Sequence, residues 1–125
     1  MARILIIDDS ALSRRMLRRI VEPAGHQVIE AADGVAGLES YFLERPDLVL
    51  LDLTMPGMYG LDVLKKLREL DPAARVLIAS ADIQSFTQEL AWQSGACGFI
   101  TKPFSAERVL SAIAAALAPA PGGKP

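Results

Sequence analysis

Asp8 and Asp9 stand together after an apolar run, Asp52 closes a second run, Ser80 a third, and Thr101-Lys102 a fourth. Brought to one place, they offer carboxylates, a hydroxyl and an ammonium. Close carboxylates repel one another and resist ionisation, so positive charge must sit among them. Lys102 supplies one charge, and a divalent cation would supply the rest. Oxygen ligands with no His or Cys nearby favour Mg²⁺ over zinc. A carboxylate is also a nucleophile toward phosphorus, giving an aspartyl phosphate. Such a transfer asks the protein mainly for positioning and charge neutralisation. Lys102 and the cation would neutralise phosphoryl oxygens, and Ser80 would donate a hydrogen bond to one. Taken singly, an aspartate at the end of a strand is as readily a helix cap or a solvated loop group. The set of five, spread over four strand ends, carries the reading.

The elements that must position these residues alternate in type. Arg3–Asp8 is short, β-branched and stopped by acids, and predicts a buried strand. Ser10 caps a helix through about Pro23, with Leu12, Met16, Ile20 and Leu17 facing inward, and Gly25 ends it. Gln27–Ala31 predicts a second strand. Asp33 opens a helix through Leu43, stopped by Arg45-Pro46. Asp47–Asp52 is apolar on both faces, as a central parallel strand must be. The loop Met55-Pro56-Gly57-Met58-Tyr59-Gly60 precedes a helix over Leu61–Leu70. A strand over Arg75–Ser80, a helix from Ile83 to Ser94, a short strand over Gly98–Thr101 and a helix from Ser105 to Ala118 follow. Five βα units imply an α/β fold with a parallel sheet, right-handed crossovers and helices on both faces. Ligands of such sheets bind beyond the carboxyl ends of the strands, where the five residues gather.

At 125 residues, 51% hydrophobic and 22% charged, the chain has the size and composition of one packed domain. Residues 1–118 form that domain, and the Pro- and Gly-rich 119–125 read as a flexible tail or linker. A net charge of -2 gives no electrostatic footprint for nucleic acid. The N-terminal apolar run meets two aspartates too soon for a signal peptide or membrane span. One cysteine, Cys97, allows no internal disulfide, which suits a reducing cytoplasm; its place predicts a buried spacer. His26 has no partner at metal-ligand spacing and reads as surface structure.

In order and spacing, these residues resemble the receiver domains of bacterial response regulators. The resemblance rests on Asp8-Asp9, the apolar run into Asp52, Met55-Pro56-Gly57 and Gly60, Ser80-Ala81, and Phe99 ahead of Lys102-Pro103-Phe104, and it spans Arg3 to about Leu117. It implies a doubly wound, flavodoxin-like five-stranded parallel sheet in the order 2-1-3-4-5 with five flanking helices. It implies Asp52 as phosphoacceptor, and Mg²⁺ ligated by Asp9 and Asp52, by Asp8 through water and by the backbone carbonyl of Thr54. Lys102 would contact the phosphoryl group, and the Lys102-Pro103 bond would be cis. Ser80 and Phe99 would be the switch pair, Ser80 moving toward the phosphoryl group and Phe99 rotating inward. Thr54 and Asp82 hold positions that tune the phosphoryl lifetime in the family. Tyr59 stands where an aspartate is common, and Phe99 lacks the hydroxyl some members carry, so its inward state rests on apolar burial. Partners implied are a histidine kinase or phosphotransfer protein, and a downstream protein or output domain at the face of helix four, strand five and helix five.

Two surfaces bear on partners. In helix four, Ile83, Phe86, Leu90 and Ser94 form the core stripe, and Trp92 points outward. Trp92 either folds against a neighbouring helix or anchors a partner. In helix one, Arg14, Arg15, Arg18 and Arg19 form two i,i+4 rows, either a solvated face with Arg18 pairing Glu22 or a docking face for a phosphoryl donor. Met55 and Met58 read as loop packing.

Other functions fit less well. Asp52-Leu53-Thr54 superficially resembles the aspartate nucleophile motif of haloacid-dehalogenase-type phosphatases, which needs a second acid where Thr54 stands. A partner-binding pseudo-receiver would not need the full acid set. A flavodoxin would need a Ser/Thr/Gly-rich phosphate loop after strand one. The chain is expected to act as a signalling switch rather than as an enzyme on an outside substrate.

Overall fold

In the computed structural model, residues 1–54, 60–81 and 85–118 are described, the side chain of Phe86 excepted. Apolar runs and amphipathic segments alternate as the sequence dictates: β1 (Arg3–Ile7), α1 (Ala11–Val21), a 3-10 turn (Glu22–Ala24), β2 (Gln27–Ala31), α2 (Gly34–Glu44), β3 (Leu48–Leu51), α3 (Gly60–Leu70), β4 (Val76–Ser80), α4 (Ser85–Gln93), β5 (Gly98–Thr101) and α5 (Ala106–Leu117). The five strands form one sheet in the order β2-β1-β3-β4-β5, and every pair is parallel. The fold is the doubly wound one expected.

The sheet has an apolar cluster on each face. Leu5, Ile7, Val49, Leu51, Val76 and Ile78 pack with α2, α3 and α4. Ile4, Ile6, Leu48, Leu50, Leu77 and Ile100 pack with α1 and α5. All residues of β3 and β4 are buried, which is why those runs are apolar on both faces. Ser10, Asp33 and Ser105 each accept a backbone N–H of the first helical turn; Ser10 caps its helix as predicted. Gly25, at φ 100°, ends the α1 segment in the left-handed region.

Three expectations about side-chain direction are corrected. Helix α1 buries Ser13, Leu17 and Val21. Leu12 is 61% exposed and Met16 is exposed too, while Ile20 is half-buried against the core. The adjacent row 13–17–21 faces the sheet instead, and in that orientation Arg14 and Arg18 both reach Glu30 on β2. Arg18 also pairs Glu22 as expected. In α4 the deeply buried residue is Ala91, while Leu90 and Ser94 are only half-buried; Ile83 lies outside the described residues, as does the Phe86 side chain. Cys97 is exposed rather than buried. Ala96 takes the core position, and Cys97 N–H donates to the Val76 carbonyl. The loop residues Met55, Pro56, Gly57, Met58 and Tyr59, with Asp82 and the tail 119–125, lie outside the described residues.

Candidate functional site

The sheet ladder runs one residue past three strand ends, and this fixes the site. Asp8 N–H donates to the Ala31 carbonyl at 3.1 Å, Asp52 N–H to the Ile7 carbonyl at 3.0 Å, and Lys102 N–H to the Ser80 carbonyl at 2.8 Å. Backbone pairing thus sets Asp8, Asp52 and Lys102 at one edge of the sheet. Asp8 and Asp52 are buried, 1% and 2% exposed, and Asp9 is exposed at the mouth. One carboxylate oxygen from each of Asp8, Asp9 and Asp52 lies within 4.8 Å of the others.

Each oxygen of Asp8 and Asp52 has a distinct environment. Asp8 Oδ1 accepts from Ser10 N–H at 2.9 Å. Asp8 Oδ2 is buried without a hydrogen bond, although Lys102 Nζ lies at ion-pair distance, 3.2 Å. Lys102 Nζ is 3.9 Å from Asp52 Oδ2. Asp52 Oδ1 accepts from Ser80 Oγ, and Thr54 donates to it from N–H at 3.3 Å and from Oγ1 at 3.1 Å. Ser80 Oγ in turn accepts from Leu53 N–H at 3.3 Å. Burial raises the Asp8 pKa, the charge of Asp52 adds to the rise, and Ser10 N–H and Lys102 oppose it.

These observations fit a hard divalent cation. The donors are carboxylate oxygens, Asp8 carries a buried oxygen with no hydrogen bond, and a single lysine does not balance three acids. The sequence gathered Asp8, Asp9, Asp52, Ser80 and Lys102 at one edge, and the structure brings them together; Thr54, which the resemblance added through its carbonyl, meets Asp52 with its N–H and hydroxyl. The Lys102-Pro103 bond is cis. Phe99 stands apart, half-buried on β5, where its ring meets Trp92 edge-on at 5.5 Å. Trp92 points outward, 53% exposed, with its ring against that strand residue. Sequence reasoning missed the Thr54 side chain as a donor to Asp52. It also missed Glu30, whose signal is a lone acid in an apolar strand opposite an arginine row.

A doubly wound parallel sheet with an acidic cluster and a lysine at its carboxyl edge, where ligands of such sheets bind, defines a class of α/β domains. Residues 4–114 match the model of the response regulator receiver domain, and the chain belongs to that family. It is 45% identical over 112 residues to the chemotaxis protein CheY of Bacillus subtilis, covering 89% of this chain and 93% of that protein. It is 36% identical over 115 residues to the sporulation initiation phosphotransferase F of the same organism, covering 89% and 90%. Among solved structures, the Vibrio cholerae chemotaxis protein CheY4 superposes with a TM-score of 0.89 at 29% identity, covering 94% of this chain and 99% of that one. The chain is thus a receiver domain of two-component signalling, a family that works with histidine kinases and downstream targets. Among the described residues, no helix is long and apolar enough to cross a membrane.

Proposed function

We propose that this receiver domain is a switch phosphorylated on Asp52. The donor is a phosphohistidine of a histidine kinase or phosphotransfer protein. An Asp52 carboxylate oxygen forms the new P–O bond as the P–N bond to the donor imidazole breaks, and the imidazole leaves with a proton. Asp9, Asp52 and the Thr54 carbonyl, with Asp8 through water, would hold Mg²⁺, which supplies charge neutralisation on the transferred group. Lys102 Nζ, already between Asp8 and Asp52, contacts the phosphoryl oxygens as a point charge. Ser80 Oγ transfers its hydrogen bond from Asp52 to a phosphoryl oxygen. Phe99 follows into the core, and the surface of α4, β5 and α5 changes for a downstream protein or output domain. The chemistry stays on the protein's own aspartate, in a cytoplasmic setting and without direct nucleic-acid contact.

One observation carries this reading: the buried Asp52 carboxylate faces Lys102, the Ser80 and Thr54 hydroxyls and two further acids. The test is intact mass after incubation with acetyl phosphate. A Mg²⁺-dependent gain of one phosphoryl group in the wild type, absent in Asp52→Asn, supports it. No gain from acetyl phosphate or from a phosphohistidine donor would make the domain a partner-binding pseudo-receiver.

A further inference from the structure

Every polar group of Asp8 except one carboxylate oxygen is tied by a hydrogen bond. The N–H donates to Ala31, Oδ1 accepts from Ser10, and the carbonyl accepts from Arg14 Nη1 at 2.7 Å. Arg14 is itself fixed, its Nε donating to Glu30 Oε1 at 2.9 Å. Glu30 is fixed in turn by Arg18 Nε on its other oxygen at 2.6 Å, and the two arginines hold its carboxyl below the usual carboxylate range. The Arg14 and Glu30 side chains are only 18% and 29% exposed. The chain of contacts therefore runs from the end of β2 through α1 to the peptide that joins Asp8 to Asp9. The remaining polar atom, Asp8 Oδ2, has no hydrogen bond and faces Lys102 Nζ at 3.2 Å.

We infer that Arg14, held by Glu30, is a positioning residue for the Mg²⁺ site: it fixes the Asp8–Asp9 peptide so that both carboxylates point at the cation. This rests on the reading of the acidic cluster as a Mg²⁺ site. Two donors of one guanidinium serve two acceptors on different elements, which the planar fork of arginine allows and a lysine ammonium does not reproduce. Groups that orient metal ligands from behind change metal affinity by about 10–100-fold when removed.

The sign of the effect separates positioning from charge. Removing a cation beside three carboxylates tightens cation binding if only Coulomb attraction matters. If Arg14 orients ligands, removing it weakens binding. Mg²⁺ titration calorimetry on the full chain should compare wild type, Arg14→Met, Arg14→Lys and Arg15→Met at one ionic strength, with a metal-free thermal melt of each. Arg15 is exposed and makes no ion pair among the described residues, so Arg15→Met reads the effect of charge alone. The expected result is Mg²⁺ affinity about tenfold weaker in Arg14→Met, a smaller loss in Arg14→Lys, and unchanged or tighter binding in Arg15→Met. Equal or tighter binding in a folded Arg14→Met overturns the inference, even if its melting temperature falls. If that variant does not fold, Arg14→Lys decides, and wild-type affinity there overturns it. A wild type that binds no Mg²⁺ overturns the metal reading itself, an outcome distinct from equal binding by wild type and variant.

Discussion

The rings of Trp92 and Phe99 meet edge to face, 5.5 Å between centroids and 79° between planes. Such pairs contribute about 0.5–1.5 kcal/mol beyond area burial, so movement of one ring is felt by the other. Trp92 is the single tryptophan of the chain, and its emission therefore reports on the position of Phe99. Phosphorylation should shift that emission in the wild type, leave it unchanged in Asp52→Asn, and move it less in Phe99→Ala. An unshifted spectrum from protein whose phosphorylation is confirmed by mass would contradict the coupling of Asp52 to the α4 and β5 surface.

Lys102 competes with any cation for the same oxygens, lying 3.2 Å from Asp8 Oδ2 and 3.9 Å from Asp52 Oδ2. Lys102→Met should bind Mg²⁺ several-fold more tightly, since one positive charge has left the cluster. The same variant should lose the phosphorylation-dependent change in Trp92 emission. Calorimetry and fluorescence on one sample read both effects, and weaker Mg²⁺ binding would show that the ammonium does not compete.

Gly60 begins α3 against the backbone of the site. A Cβ there would lie 2.4 Å from Leu53 Cα and 2.6 Å from the Asp52 carbonyl oxygen. Backbone atoms cannot step aside as a side chain does. Gly60→Ala should destabilise by about 1–3 kcal/mol and slow phosphorylation by shifting Asp52. Urea unfolding and the rate of mass gain from acetyl phosphate measure the two, and a wild-type rate would mean that α3 yields instead of β3.

Tyr41 Oη donates to Asp71 Oδ2 at 2.7 Å. Burial, reinforced by the Asp71 carboxylate, pushes the phenol pKa up from 10 to about 12. The folded state therefore keeps its proton after the unfolded chain has lost it. Stability from Tyr41 is fully present below pH 10 and lost between pH 10 and about 12. Tyr41→Phe should cost about 1 kcal/mol at neutral pH and show a smaller loss of stability across that alkaline window. Denaturant midpoints at both pH values test it, and an unchanged alkaline loss would remove Tyr41 as its source.

Much of this architecture is written locally. The apolar runs of β3 and β4, the caps Ser10, Asp33 and Ser105, and the acids and lysine at strand ends depend on near neighbours in sequence. What could not be read depends on packing between distant elements. The inward row of α1 is 13–17–21, an orientation in which Arg14 and Arg18 reach Glu30 on another strand. Leu12 and Met16 have the right residue type but stand on the wrong row. Ala91 outranks Leu90 in the core of α4 because space against the sheet, rather than side-chain size, sets the buried face. In the site, residue types identified Asp52 and Lys102. The bond from Thr54 Oγ1 and the orphaned Asp8 Oδ2 are matters of geometry that residue types do not encode.

The central claim is that Asp52 carries the phosphoryl group, and chemical mapping tests it most directly. Borohydride reduces an aspartyl phosphate to homoserine, which marks the acceptor permanently. Protein treated with acetyl phosphate and Mg²⁺, then reduced, should give homoserine at position 52 in the peptide that contains Leu51 and Leu53, and at no other aspartate. Homoserine at Asp8 or Asp9, or none in protein that has gained a phosphoryl mass, would contradict the account.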